Sequence, residues 1–175
     1  MWIDQRGSEE LPLPEGMRLL ALGANEGLVG RLAISSEGAP LVHPVSFWYR
    51  NRTVFVRLGP GSMADAAPDS LVAFEVDHVD RTNGRAWSVL VRGLATALDD
   101  PARSEAMSSA PPPLVLNPGD IVLSIRLDLV TGRRFPLQSG PPHGVDRSWR
   151  LRLVGAASRV RGSSGGRNGE AEQEH

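Results

Sequence analysis

Six stretches of this chain alternate apolar and polar residues with the period of a strand, and turn residues separate them. From Gly30, Arg31-Leu32-Ala33-Ile34-Ser35 passes through a polar Ser36-Glu37-Gly38 turn into Leu41 to Tyr49, the pattern of a hairpin. Arg50-Asn51-Arg52 turns the chain into Thr53 to Leu58. There Val54, Val56 and Leu58 share one face and Thr53, Phe55 and Arg57 the other, which aims Arg57 away from the aliphatic side. Leu71 to Val79 sets Val72, Phe74 and Val76 against Ala73, Glu75 and Asp77. Ala86 to Leu98, the longest stretch, sets Trp87, Val89 and Val91 against Ser88, Leu90 and Arg92, and Gly93 offers a bend or bulge. Ile121, Leu123, Ile125 and Leu127 mark the sixth strand.

Helical signals are short. One or two turns are predicted over Arg18 to Leu22, a brief helix after the Gly59-Pro60-Gly61 loop, and another from the Asp99-Asp100-Pro101 start to about Ser108, before Pro111 to Pro113. Six strands with so little helix favour a closed antiparallel sheet, so the expected class is mainly β, a barrel. The polar stretch 1–16, with Pro12 and Pro14, is expected to be an arm or strap, residues 17–137 the folded domain, and 138–175 a mostly flexible tail. Within that tail, residues 149–154 alternate and are expected to add a strand or strap.

Composition narrows the chemistry. Among 175 residues, 19 basic side chains nearly balance 20 acidic ones, so no global field steers the chain to nucleic acid or to anionic lipid. Every basic residue is arginine, which leaves no lysine for a Schiff base or a phosphate contact, and no cysteine is present for disulfide, thiolate-metal or nucleophile chemistry. No stretch reaches the ~20 apolar residues of a membrane span and the start lacks a signal-peptide run; a cytoplasmic protein is expected.

Gly59-Pro60-Gly61-Ser62-Met63-Ala64 imitates a dinucleotide fingerprint, but Pro68-Asp69-Ser70 ends the helix far too early for a parallel crossover. Two readings of the segment stay open. Gly59, Gly61 and Ser62 can cradle a phosphate, with Arg57 completing the charge. Alternatively, Ser62 and Asp65 make a plain helix cap. Glu75 and Asp77, two apart on one face, suit acid–base work, a hard cation or simply a barrel rim. His43 and His78 lack spaced partners for a metal site. Phe47-Trp48-Tyr49 and Trp87-Ser88 place aromatic mass near strand ends, where a barrel accepts a flat heterocycle or packs its core.

The order of these segments carries a resemblance. Val29 to Ala33, Pro40 to Phe47, Val54 to Arg57, Pro60 to Met63, Val72 to Asp77, Trp87 to Gly93 and Val130 to Arg134 follow one another as in proteins similar to pyridoxamine 5′-phosphate oxidase, over roughly residues 18 to 136. The resemblance implies a six-stranded FMN-binding split barrel, a homodimer with two flavin sites between subunits, and a flavin-dependent oxidoreductase acting on a small flat substrate. Its alternatives are a non-catalytic flavin or deazaflavin binder and a barrel that has lost its cofactor. It further implies that Pro44, Val45, Ser46 and Phe47 border the isoalloxazine, that Arg57, Leu58, Gly61, Ser62 and Met63 hold the phosphate, and that Glu75, Asp77, Trp87 and Ser88 complete the pocket. Met63 stands where the family pattern usually has lysine, and Leu58 where it often has threonine. The loss of one charge-assisted contact is expected to weaken FMN about tenfold to a hundredfold. No catalytic residue and no metal ligand is assigned.

Overall fold

In chain order the elements are β1 (Glu9–Glu10), α1 (Leu13–Asn25), β2 (Gly30–Ser36), β3 (Ala39–Arg50), β4 (Thr53–Leu58), α2 (Ser62–Ala66), β5 (Leu71–Asp80), β6 (Arg85–Ala97), α3 (Asp100–Met107), β7 (Ile121–Arg126) and β8 (Leu129–Pro136). The computed structural model describes residues 7–112 and 121–137. The expected tail 138–175, with its 149–154 segment, lies outside them.

The six alternating stretches are the six strands that close the barrel. Antiparallel pairing runs β6-β5-β2-β3-β4-β7, and β7 returns to pair with β6. Two tight turns set the register. Glu37 and Gly38 between β2 and β3, and Asn51 and Arg52 between β3 and β4, all have positive φ, as two-residue hairpin turns that match strand twist require. Inward residues of the six barrel strands meet in one core in which Leu32, Val54, Val56, Phe74, Val89 and Ile125 are fully buried. Each such side chain contributes about 1.5–3 kcal/mol through the water it no longer contacts.

β6 is the member that splits. Its first half pairs with β8, from Arg85 opposite Pro136 to Arg92 opposite Leu129, while Ala95 to Ala97 pair with β7. The change of partner falls at Gly93. Pairing with β5 continues through this position without an extra residue, so the expected bulge does not form. Glycine is needed there for a different reason: a Cβ would collide with the backbone carbonyl of Arg126, where β7 departs.

β8 and β1 lie outside the barrel and were not legible from alternation. β8 has a polar centre, Thr131 to Arg134 with Gly132, and pairs with β6 on one side and β1 on the other. Of the arm or strap expected at 1–16, the described residues include β1 and the start of α1. Helix α1 is also longer than Arg18 to Leu22, because Pro14 sits in the first turn, where a missing N–H costs nothing. Gly16, Leu19, Leu20, Gly23 and Ala24 form its buried stripe. Glu15 accepts from Arg18 Nε at 2.8 Å and from Arg134 Nη2 at 2.7 Å, tying α1 to β8, and those two guanidiniums hold its carboxyl down from 4.5 to about 2.

α3 covers part of the barrel's outer surface. Asp99 caps it by accepting from the Ala102 amide at 3.0 Å, and Ala106 is buried against Trp48 of β3 and Val122 of β7. Among the described residues no helix is long and apolar enough to cross a membrane.

Candidate functional site

The candidate residues divide by strand face. Val45, Phe47, Leu58, Met63 and Trp87 point inward and are buried; the Phe47 ring packs on Phe74 with centroids 4.9 Å apart. Only their backbone is available to a ligand outside the barrel. Pro44, Ser46, Arg57, Glu75, Asp77 and Ser88 are on the outer face, and Gly61 and Ser62 are exposed in the turn before and at the start of α2. A consecutive run such as Pro44 to Phe47 cannot aim all its side chains one way, because strand side chains alternate.

Register sets the outer residues into order. Ser46 faces Arg57 across β3 and β4. Pro44 faces Arg31, Arg31 faces Glu75, and Asp77 faces Ser88. Three strand steps separate Arg57 on β4 from Asp77 on β5, about 14 Å along the curved surface. Arg57 with Ser46 therefore forms one end of a band, and Asp77 with Ser88 the other.

The charges at the two ends differ in state. Asp77 is bound by the guanidinium of Arg31, a residue that pattern reading passed over although it sits on the outer face between the candidate strands. The pair is well exposed and worth about 0–1 kcal/mol. Arg57 has no carboxylate partner among the described residues, whereas Arg18, Arg31, Arg103, Arg126 and Arg134 each have one. Its guanidinium instead lies against the thioether of Met107. Nothing in the sequence links those residues, which lie fifty positions apart on different elements. Beside them Trp48 stacks on Phe55 with centroids 5.4 Å apart, and its buried indole N–H has no partner among the described residues.

The Gly59 to Ala64 segment is not a dinucleotide fingerprint. α2 has five residues, and β4 and β5 are not neighbours in the sheet. The Ser62–Asp65 cap is absent as well: Gly61 is the N-cap and no side chain caps the helix. Gly61 adopts φ 144°, a conformation that favours glycine, and its carbonyl accepts from the Asp65 amide at 3.0 Å. Met63 faces the core from α2, so its side chain does not line the exposed turn.

Among the described residues no three His, Asp or Glu side chains gather as a metal site would need. His43 is exposed, and His78 lies 6.1 Å from the Trp87 ring. Farther along the outer sheet, a groove of about 570 Å³ runs over Ala33, Pro40, Ala73 and Leu129, beside Leu71, which is 77% exposed.

A barrel that splits at one long strand, with candidate groups on its outer face, defines the split-barrel class. The sequence pattern of the pyridoxamine 5′-phosphate oxidase family matches residues 18–134, and the chain belongs to that family. It is 33% identical to an uncharacterised protein of Mycobacterium tuberculosis, over 76% of this chain and 89% of the relative. An FAD-binding protein of Mycobacterium smegmatis is 29% identical, with a TM-score of 0.56, over 73% of this chain and 98% of that one. An FAD-binding protein of Mesorhizobium loti shares the fold at 22% identity and a TM-score of 0.53, over 73% of this chain and 97% of that one.

Proposed function

We propose that this chain binds a phosphorylated flavin, FMN, on the outer face of the barrel and acts as a flavin-dependent oxidoreductase on a small flat substrate. The observation that carries the reading is Arg57: a cation on the outer face without a carboxylate partner among the described residues, in register with Ser46 and two residues before the exposed Gly59 to Gly61 turn. An arginine left unneutralised beside free hydroxyl and backbone donors fits a phosphate. The FAD-binding relative of M. smegmatis supports a flavin as the rest of the ligand.

The groups present fit such a ligand. Arg57, Ser46 and Ser62, with the backbone at Gly61, would hold the phosphate. Pro44 and the outer edge of β5 and β6, with Glu75, Asp77 and Ser88, would border the ring. The two ends stand about 14 Å apart, so a molecule touching both must be elongated. When bound, the flavin supplies the hydride chemistry; the protein orients it and shields one face from water. Arg31 engages the Asp77 side chain through its guanidinium.

A second copy of the chain completes the reading. The outer sheet exposes Val42, Leu71, Leu90 and Leu129 beside the polar band, and covering this apolar surface in a homodimer encloses a ligand otherwise open to solvent. The test is a visible spectrum of the purified protein, followed by titration of the apoprotein with FMN, FAD, riboflavin and a deazaflavin. Bound FMN bands that bleach with a reductant and return in air support the reading. A protein that takes up no flavin at micromolar concentration overturns it. Tight uptake without turnover favours a carrier.

A further inference from the structure

We infer that the inner face of the sheet carries a second ligand site, a cavity between α1 and the β5–β6 hairpin that takes a small aromatic carboxylate. The inference stands apart from the flavin reading, because strand alternation puts its side chains on the face opposite Asp77 and Ser88.

Register builds the cavity. Arg134 on β8, Trp87 on β6 and His78 on β5 face one another in a cross-strand row, and Pro136, Arg85 and Asp80 form the next. Both rows come after Val76 and Val89, the last fully buried pair of the hairpin. Beyond that pair the sheet has no core to cover, and α1 crosses its inner face instead. A cavity of about 490 Å³ is left between them, within the range of small-molecule sites. Trp87 lines it, with its ring centroid 6.1 Å from that of His78, and Leu19 and Leu22 of α1 supply further apolar wall.

The pairing of the charged groups leaves this space cationic at one end. Arg18 and Arg134, both in the lining, share a single carboxylate, Glu15. Register places Asp80 opposite Arg85, but both Asp80 oxygens are taken by Asn83, whose backbone amide donates at 3.0 Å and whose side-chain amide donates at 2.6 Å. Arg85 therefore lines the cavity without a carboxylate partner among the described residues. Glu9, opposite Arg134 on β1, lines a neighbouring hollow. Glu26 lines the cavity at the C-terminal end of α1, a rise of about 12 Å along the helix from Arg18.

An indole and two leucines beside these guanidiniums fit a ligand with a flat apolar body and an anionic head. A carboxylate matches the planar guanidinium fork.

Nuclear magnetic resonance titrations of the full chain, at one fixed, moderate salt concentration, test the site with sodium benzoate as the probe. Benzoate should shift the Trp87 Nε1–H and Arg85 Nε–H signals saturably. Arg85→Ala should weaken it roughly three- to tenfold, the worth of one exposed charge-assisted contact. Arg92→Ala, exposed on the outer face of the same strand, should change nothing. Acetate lacks the ring and benzyl alcohol lacks the charge, so both should bind more weakly than benzoate.

Trp87 signals that do not saturate below about 10 mM benzoate overturn the inference. So does binding unmoved by Arg85→Ala, equal weakening by Arg85→Ala and Arg92→Ala, or acetate or benzyl alcohol that binds as tightly as benzoate. Displacement of benzoate by FMN overturns it as well, by making the cavity part of the flavin site. A protein that binds benzoate at Trp87 and takes up no flavin removes the flavin reading and leaves this one standing.

Discussion

Gly93 of β6 faces the backbone carbonyl of Arg126 at the end of β7, the point at which the long strand exchanges one edge partner for another. The two backbones approach so closely that the side chain of any other residue would occupy the carbonyl's place. Gly93→Ala should therefore destabilise the fold by about 3 kcal/mol, from forced separation of packed backbone. Thermal melts should show a loss of roughly 6–12 °C. A variant that melts within a degree or two of the wild type would show that the strand can part from β7 freely.

Arg57 should discriminate between flavins by their phosphate. Arg57→Ala is expected to weaken FMN about tenfold to a hundredfold, the worth of one charge-assisted contact, and to leave riboflavin unchanged. The titrations belong at one fixed, moderate salt concentration because exposed charge is screened. Equal losses for both ligands would place the phosphate elsewhere.

Met63 has a structural consequence that its position in the motif conceals. Because its side chain is buried in the main core, Met63→Lys brings an ammonium into apolar surroundings and should cost about 2–4 kcal/mol, lowering the melting temperature by roughly 5–15 °C. Met63→Leu should be close to neutral. If Met63→Lys instead melts normally and tightens FMN, α2 must turn this position outward when ligand binds.

The Glu15 carboxylate gives a pH dependence with a definite sign. Its value in the folded protein, about 2, lies below the ordinary 4.5, so its contribution is complete above about pH 4.5 and is lost as the pH falls toward 2. The group is partly exposed and solvent screens the pair, so the contribution is on the order of 1 kcal/mol. Denaturant unfolding of wild type and Glu15→Gln should differ by that amount at pH 6 and converge near pH 2. A gap that stays constant across this range would assign the effect to packing.

Leu71 tests the proposed homodimer. It is among the most exposed apolar side chains of the outer sheet, and Leu71→Glu should leave the barrel's melting temperature within a few degrees while shifting light scattering from dimer to monomer. A dimer that survives this change and Leu129→Glu would have to use another surface.

The barrel was legible because its strands are buried on one side. Val54-Val56-Leu58, Val72-Phe74-Val76 and Trp87-Val89-Val91 each alternate with polar residues, and that two-residue period follows directly from the geometry of a strand with one face in a core. β8 gives no such signal for the same reason: it sits outside the barrel, only one of its eight residues is buried, and its Gly132-Arg133-Arg134 run has no apolar period. The sequence signal for α1 is shorter than the helix because Pro12 and Pro14 suggest a break, whereas in a first turn proline is compatible with helix.

The candidate site divides along the same line. Local sequence was enough to put Arg57, Glu75, Asp77 and Ser88 on polar strand faces and to set Gly59 to Gly61 in a turn, since these depend on neighbours a few residues away. It could not tell which members of a motif face a ligand and which the core, as Met63 shows. Nor could it find Arg31 at Asp77 or Met107 at Arg57, forty-six and fifty positions apart. Such pairs form only when hairpin register and the packing of α3 bring distant strands and a helix together, and a contact between long side chains across that distance leaves no period in the chain.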